Sequence, residues 1–206
     1  MYQRCIKRIL DFIFATILLI VLSPIMLIAA IAIKLDDPKG PVLFKQERVG
    51  KDGRIFKIYK FRTMVDGAIN MGSGLHTDEG DPRITRIGKI LRKTSLDELP
   101  QLINILKGEM SLIGPRPPVP YYPRKYEEYT TEQKRRFTVR PGISGYAQVV
   151  LRNSATWDER IELDLEYINK MSFAFDLYIF FMSILVVLKR KNVYAPLKST
   201  NINEKS

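Results

Sequence analysis

The longest uncharged segment of the chain, from Phe12 to Ile33, restricts its fold more than any other feature. As a helix, these 22 residues would be about 33 Å long, and the hydrocarbon core of a bilayer is roughly 30 Å thick. The segment is too long for a cleavable signal peptide and has no small-residue cleavage site followed by a polar start. We therefore predict a retained membrane helix over residues 1–35.

Two features of this segment argue against a simple crossing. Basic residues, which mark cytoplasmic loops, lie on both sides of it: Arg4, Lys7 and Arg8 before it, and Lys34, Lys39, Lys45 and Arg48 after it. Ser23-Pro24 lies in the middle, where proline removes a backbone donor and disfavours helix at the preceding residue. A re-entrant helix that enters and leaves by one face fits these features. A kinked spanning anchor fits as well, and the residues alone leave both topologies open.

The overall composition limits the class of protein and its partners. The chain has 206 residues with a net charge of +11, so it is a single domain with an expected anionic partner. Its one cysteine, Cys5, cannot form an internal disulfide, and its one histidine, His76, has no Cys or His cluster beside it. These counts exclude a structural zinc site and indicate a reducing compartment.

The remaining patterns predict an α+β fold: a mainly helical domain over residues 36–190 with a small β-hairpin. Strands are expected at 42–44, 55–62 and 110–113, with a hairpin turn at 49–54. Helices are expected at 84–92, 97–107, 126–136, 157–170 and 177–188, with irregular segments at 66–82 and 139–153 and a loose tail at 191–206. The basic helix at 84–92 can lie on anionic lipid or be a solvated surface helix, and the apolar helix at 177–188 can lie in the core or at the membrane interface.

Two adjacent carboxylates, Asp97 and Glu98, are the best acidic candidates for chemistry. On spacing alone, Ser95 and Glu98 form a helix capping box, and acids in a first helical turn complement the macrodipole. The functional alternative is that the pair holds Mg²⁺ together with substrate phosphates, or that one carboxylate attacks a phosphate to form an acyl phosphate.

Arginines held by stiff backbone form a second candidate constellation. Arg116 lies between prolines, Arg140 precedes Pro141-Gly142, and Arg152 precedes Asn153. Guanidinium groups bind phosphate bidentately, and proline reduces the entropy lost in holding them. Together with Lys60 and Arg62, they favour a polyanionic ligand, although each alone is more often a surface ion-pair partner.

Five motifs, in one order along residues 1–190, resemble the bacterial sugar transferases known as monotopic phosphoglycosyl transferases. They are Ser23-Pro24, Lys60-Phe61-Arg62-Thr63-Met64, Thr94-Ser95-Leu96-Asp97-Glu98-Leu99-Pro100-Gln101-Leu102, Gly114-Pro115-Arg116-Pro117 and Arg140-Pro141-Gly142-Ile143-Ser144-Gly145. The resemblance implies transfer of a sugar-1-phosphate from a UDP-sugar to polyprenol (undecaprenyl) phosphate, with release of UMP. It places this reaction at the cytoplasmic face of the bacterial inner membrane, as the first membrane step of surface glycan synthesis.

The resemblance also assigns roles to individual residues. Asp97 is the nucleophile that forms a covalent phosphosugar intermediate, Mg²⁺ is the cofactor, and Glu98 assists through the metal or as a base. Phosphates and substrate are expected to bind at Lys60, Arg62, Arg92, Arg116, Arg140 and Arg152. The re-entrant form of the N-terminal helix, with its break at Ser23-Pro24, is the one that the family implies, and membrane lipids are expected partners.

One segment departs from the family pattern. Relatives often have Asn-Gly where this chain has Val150-Leu151, just before Arg152. If this loop contacts the donor, the sugar preference of relatives does not carry over. The rival hypothesis is a non-catalytic, membrane-bound basic module that binds anionic lipid or nucleic acid; nucleic acid is disfavoured because the aromatic residues are not interleaved with the basic ones. The sugar and the glycan pathway are left open, and so is a homodimer.

Overall fold

The computed structural model describes residues 2–71, 80–151 and 156–188. After a π-helical turn at Tyr2–Ile6, helix α1 extends from Lys7 to Asp36 over 30 residues. In the described part of the chain, α1 is the one helix long and apolar enough to cross a membrane, judged by length and composition. It is continuous through Pro24, and the Ser23 hydroxyl donates to the Ile20 carbonyl at 2.7 Å. The predicted Ser-Pro break is therefore not confirmed.

The predicted hairpin is present. Strands β1 (Leu43–Val49) and β2 (Ile55–Phe61) pair antiparallel in a register that sets Leu43 opposite Phe61. The turn between them contains Asp52 and Gly53 at φ 54° and 77°, a left-handed conformation that favours glycine at the second position. Strand β1 is longer than predicted, because its charged residues Lys45, Glu47 and Arg48 pair with β2 instead of ending the strand.

The acidic pair lies between two short helices and not inside one. Helix α2 (Arg86–Thr94) begins after its cap Thr85, two residues later than predicted, because Ile84 forms a β-bridge with Met64. A 3₁₀ turn, Leu96–Glu98, then precedes helix α3 (Gln101–Lys107). The predicted capping box was wrong. Ser95 has φ 57° and closes α2 at its C-terminal end, so its side chain caps no helix that follows.

The described residues after Gly108 form a short parallel strand pair and four α-helices: β3 (Ser111–Ile113), α4 (Thr131–Lys134), β4 (Gly142–Ser144), α5 (Tyr146–Leu151), α6 (Trp157–Lys170) and α7 (Phe173–Leu188). Helix α6 confirms its prediction. The predicted helix at 126–136 was wrong, since that stretch is two 3₁₀ turns around the single-turn α4. The segment at 139–153, expected to be irregular, contains β4 and α5. The tail at 191–206 lies outside the described residues.

Helix α7 begins four residues earlier than predicted. The prediction began after the charged residue Asp176, but a charge can be buried in an apolar helix when it is paired. Asp176 is 7% exposed and accepts hydrogen bonds from Lys7 Nζ at 2.7 Å and from the Tyr167 hydroxyl at 2.7 Å. Asp11 of α1 likewise accepts from the Ser111 hydroxyl at 2.7 Å. These contacts fasten the N-terminal end of α1 to α7 and to β3.

Helix α1 is part of the hydrophobic core at both of its ends. Near its N-terminal end, Ala15 is fully buried in a cluster with residues of β2, residues of α3 and the residue before β3, namely Phe56, Ile58, Leu102, Ile105 and Met110. Near its C-terminal end, Ala29 and Ile33 pack with Phe61 and Leu91. The helix therefore supports the hairpin and both helices that flank Asp97 and Glu98.

A glycine in α2 provides a test of this packing. Glycine in a helix interior is usually destabilising relative to alanine by roughly 1 kcal/mol, so Gly→Ala normally stabilises. At Gly88, however, an added Cβ would lie 2.0 Å from the Thr63 carbonyl oxygen. We expect Gly88→Ala to lower the free energy of unfolding by about 1–3 kcal/mol through overpacking. Thermal unfolding in detergent measures the change, with Lys89→Ala on the exposed face as control; an increase in stability would contradict the packing.

Candidate active site

The 3₁₀ turn Leu96–Glu98 is held from both sides. Before it, Leu96 packs against the apolar cluster around Leu91 and Phe61. After it, Pro100 begins α3, whose Leu102 and Ile105 are almost completely buried. Neighbouring residues of a 3₁₀ turn point about 120° apart, so the side chains of Asp97 and Glu98 face different surroundings.

Glu98 is held by two cations. Its Oε1 lies 2.6 Å from Lys60 Nζ and 3.6 Å from an Arg116 guanidinium nitrogen. Burial alone would raise the pKa of Glu98, but the charges of Lys60, Arg116 and Arg48 outweigh this effect and lower it to about 2. Glu98 is therefore ionised across the physiological range.

Asp97 is in the opposite situation. Burial and, to a smaller extent, the neighbouring negative Glu98 raise the pKa of its carboxyl to about 6, against the opposing charges of Lys60 and Arg92. Among the described residues no ion pair within 4.0 Å engages Asp97. At neutral pH this carboxylate is mostly ionised and is open to a ligand.

Asp97 lines a cavity of about 480 Å³ with basic walls. The cavity is lined by Pro41, Phe44, Gln46, Arg48, Lys60, Phe61, Arg62, Thr63, Met64, Val65, Asp66, Gly67, Ala68, Arg92, Asp97 and Arg116. Five of these residues are Lys or Arg and two are Asp. This volume and this charge suit a small, multiply anionic ligand.

The structure brings four of the six predicted phosphate-binding residues to this cavity: Lys60, Arg62, Arg92 and Arg116. The guanidinium of Arg62 also pairs with the Asp37 carboxylate and donates to the Asp37 carbonyl at 2.7 Å. Arg62 thus ties the residue after α1 to β2, and a role in phosphate binding stays a prediction.

The other two predicted residues are not found there. Arg140 is absent from the cavity lining, and its Nε donates to the Gly108 carbonyl at 2.8 Å, where it caps the C-terminal end of α3. Arg152, together with Asn153, lies outside the described residues. The sequence departure at Val150-Leu151 falls at the end of α5.

Sequence reasoning missed Arg48, which lines the cavity beside Gln46 and Phe44. These three residues alternate along β1, and alternation places side chains on one face of a strand. Burial and the nearby Arg116 lower the pKa of Arg48 to about 10, so it remains a cation at neutral pH. The signal was present in the sequence, but the predicted strand ended at Phe44.

The two carboxylates differ in how well they suit a magnesium ion. Within the ranges that the structure describes, no cluster of three or more His, Cys, Asp or Glu side chains is suited to a metal. Mg²⁺, however, is commonly held by one or two carboxylates together with substrate phosphates. Asp97 fits this donor set because it lines the cavity without an ion pair, whereas Glu98 already contacts Lys60.

The chain belongs to the bacterial sugar transferase family, whose model matches residues 2–190. It is 46% identical over 186 residues to the UDP-N-acetylgalactosamine-undecaprenyl-phosphate N-acetylgalactosaminephosphotransferase of Aeromonas hydrophila, covering 89% of this chain and 44% of the relative. It is 39% identical over 201 residues to the UDP-glucose:undecaprenyl-phosphate glucose-1-phosphate transferase of Escherichia coli K12, covering 93% and 42%. The chain thus spans less than half the length of these two relatives.

A third relative has a length close to that of this chain. The exopolysaccharide production protein PSS of Rhizobium leguminosarum is 42% identical over 193 residues, which cover 90% of this chain and 96% of the relative. The family resemblance carried by the five motifs is therefore confirmed.

The charge of Lys60 can be tested by its effect on the two carboxyls. Lys60 lowers the pKa of both, so Lys60→Met is expected to raise the pKa of Glu98 above about 2 and that of Asp97 above about 6. Titration of ¹³C-labelled carboxyls by NMR measures both values. Lys57→Met, on the same strand but exposed, is the control. If Lys60→Met leaves both values unchanged, the described electrostatics are wrong.

Proposed function

We propose that this chain transfers a sugar-1-phosphate from a UDP-sugar to polyprenol phosphate and releases UMP. The observation that carries the proposal is an ionisable aspartate, Asp97, without an ion pair in a cavity lined by five cations. The relatives support it, because two of them are named for transfer of this kind to undecaprenyl phosphate. Surface glycan synthesis is the process in which we expect the product to be used.

In the first step, a carboxylate oxygen of Asp97 attacks the β-phosphorus of the donor. The bond from that phosphorus to the oxygen bridging the two phosphates breaks, UMP leaves with this oxygen, and an acyl phosphate carries the sugar. In the second step, a phosphate oxygen of polyprenol phosphate attacks the same phosphorus. The bond to Asp97 breaks, which restores the carboxylate and gives polyprenyl diphosphate-sugar.

The pKa values divide the roles of the two carboxylates. A nucleophile must be ionised yet reactive, and Asp97, with a pKa of about 6, meets both needs at neutral pH. Glu98, with a pKa of about 2, is too weak a base to remove a proton near neutral pH. We therefore assign Glu98 to holding Lys60 and Arg116 in place, and these two cations to the phosphates of the donor.

Mg²⁺ is the proposed cofactor, and Asp97, which has no ion pair among the described residues, would hold it together with oxygens of the substrate phosphates, while Glu98 stays paired with Lys60. When bound, it neutralises charge on the diphosphate of the donor. Lys60, Arg92 and Arg116 also neutralise charge on the diphosphate of the donor, since their side chains line the same cavity as Asp97. Arg48 joins them as a cation that sequence reasoning did not supply.

The rival function, a membrane-bound basic module without chemistry, shares the basic cavity but requires no nucleophile. It predicts binding that falls steeply with salt and that tolerates loss of one carboxylate. The raised pKa of Asp97 favours the enzyme, because surface carboxylates that only balance charge rarely leave their ordinary pKa.

The decisive variant is Asp97→Asn. Purified protein in detergent with Mg²⁺, undecaprenyl phosphate and a panel of UDP-sugars is expected to release UMP. The variant should lose at least about 10³-fold in rate, because the amide cannot form the acyl phosphate. Asp158→Asn, an exposed carboxylate paired with Arg124, is the matched control and should keep its rate. Mass spectrometry after incubation with donor alone should detect a phosphosugar on Asp97; full turnover by Asp97→Asn would rule out the mechanism.

For topology, we propose that α1 is re-entrant and that the domain lies on the cytoplasmic face of the inner membrane. Both ends of α1 contact the same domain: Lys7 pairs with Asp176 at 2.7 Å, and the Asp36 carboxylate accepts from the Ile87 amide at 3.0 Å. A helix of 30 residues is about 45 Å long, so a simple crossing would carry one end away from its partners. Between these ends Ile20 and Val21 are 67% and 64% exposed, as expected for residues in lipid.

Two further helices have the exposed side chains expected at an interface. Helix α7 exposes a run of apolar and aromatic residues: Phe173, Leu177, Tyr178, Phe181, Ile184, Leu185, Val187 and Leu188. Helix α2 exposes Lys89, Ile90 and Lys93. We propose that both lie on the leaflet that α1 enters, with the basic residues toward anionic lipid headgroups.

Cysteine labelling tests the topology. The native Cys5 is exposed before the apolar segment, and Lys39→Cys in a Cys5→Ser background places a thiol after it. An impermeant maleimide should label both thiols in inside-out vesicles and neither in right-side-out vesicles. Labelling of the two thiols from opposite sides would establish a crossing helix instead.

A further inference from the structure

The segment that carries Arg116 is held at four consecutive carbonyls. Three of its residues, Pro115, Pro117 and Pro118, have no N–H, so the segment can be anchored chiefly through its oxygens. Their four donors come from three parts of the fold. Gly142 N donates to Pro115 O at 3.0 Å, Arg136 Nη2 to Arg116 O at 2.9 Å, Arg48 Nη1 to Pro117 O at 2.9 Å, and Val49 N to Pro118 O at 2.9 Å.

Arg136 differs from the other donors because it is a charge that is almost completely buried and is paired with a buried carboxylate. It is 2% exposed, and its guanidinium is paired with Asp164 of α6, itself 2% exposed, at 3.0 Å and 2.6 Å. The aromatic rings of Phe137 and Trp157 lie 5.1 Å and 5.7 Å from the guanidinium carbon. A planar fork fixed by a carboxylate and two rings has very little freedom, so the direction of the second N–H of Nη2, the one not bonded to Asp164, is set.

This N–H of Nη2 donates to the carbonyl of Arg116, the residue whose side chain faces the candidate active site. The Arg116 side chain lines the cavity and lies 3.6 Å from Glu98. We propose that Arg136, oriented by Asp164, is a positioning residue: it fixes the backbone of Arg116 and thereby aims the Arg116 guanidinium at the phosphates of the donor. Arg136 itself is absent from the lining of this cavity. This inference rests on the proposed function.

The alternative is that the Arg136–Asp164 pair only stabilises the fold. Experiments can distinguish this structural role from the positioning role. A buried ion pair that only stabilises would change folding and leave the site's chemistry intact. A positioning pair loses its effect on turnover once Arg116 has no guanidinium to aim. We therefore expect the effect of replacing Arg136 to depend on whether Arg116 is present, and a double-mutant cycle measures this dependence.

The cycle uses the full chain in detergent with Mg²⁺, undecaprenyl phosphate and the donor that gives most UMP. Arg136→Lys keeps the charge beside Asp164 but gives up the planar fork and its bond to Arg116 O. We expect it to lower kcat/KM by roughly tenfold, and Arg116→Ala by about 10²-fold, the range found for groups that stabilise transferring charge. In the Arg116→Ala background, Arg136→Lys should change the rate by less than about twofold.

Two variants control for misfolding and for position. Replacing the pair together, Arg136→Met with Asp164→Leu, removes the bond to Arg116 O and leaves no unpaired buried charge, so the fold survives while turnover falls as in Arg136→Lys. Arg135→Lys changes the neighbouring arginine, whose side chain is exposed and pairs with Glu132, and should have no effect. Unfolding temperatures are recorded for all variants.

Equal losses from Arg136→Lys in both backgrounds, or no loss in the unaltered chain, would overturn the positioning role. If the chain releases UMP from no donor, the proposed function fails, and the same cycle is then measured on UDP affinity by calorimetry. Coupling between Arg136 and Arg116 in UDP affinity supports the inference, and additive effects overturn it. A chain that neither turns over a donor nor binds UDP refutes both proposals.

Discussion

The ion pair between Lys60 and Glu98, at 2.6 Å, is the interaction on which the rest of the site depends. Two adjacent carboxylates in a half-buried turn repel one another, and burial disfavours the charged form of each. The two groups therefore have different pKa values. Lys60 bonds to one of them and not the other. Glu98 becomes a permanent anion, while the pKa of Asp97 stays near neutrality. Lys60, Arg116 and Arg48 thus make Glu98 a fixed charge, whereas burial keeps the pKa of Asp97 raised.

The acidic pair and the cations around it could be predicted from the sequence because their motifs are short and local. Asp97, Lys60 and Arg116, which the sequence named as candidate site residues, all line one cavity, and Glu98 contacts Lys60 and Arg116. Arg140 was grouped with them for its proline-held backbone, but rigidity does not tell where a side chain points, and this one caps α3. Arg48 was missed because the length of β1 is set by its pairing with β2 across the hairpin, and no local sequence pattern shows that pairing.

The prediction of the fold was right where the apolar periodicity was strong. It was wrong where a single residue had a backbone conformation or a partner that the local pattern does not show. Helix α6 follows its apolar spacing from end to end. The capping box at Ser95 failed because the positive φ of that residue ends one helix instead of beginning the next. The start of α7 was misplaced because Asp176 is charged, and only the folded chain reveals the lysine, Lys7, that neutralises it.

Helix α3 has its two ends attached to different parts of the protein. Its N-terminal end follows the acidic turn, and its C-terminal carbonyls accept from Arg8 of α1 at 2.6 Å and from Arg140 at 2.8 Å. Seven residues of helix form a strut about 10 Å long, and one residue more or less would turn its two ends by about 100° relative to each other. The number of residues between Asp97 and Gly108 therefore sets how the acidic turn is placed relative to Arg8 at the N-terminal end of α1, and an insertion or deletion in α3 would change that placement.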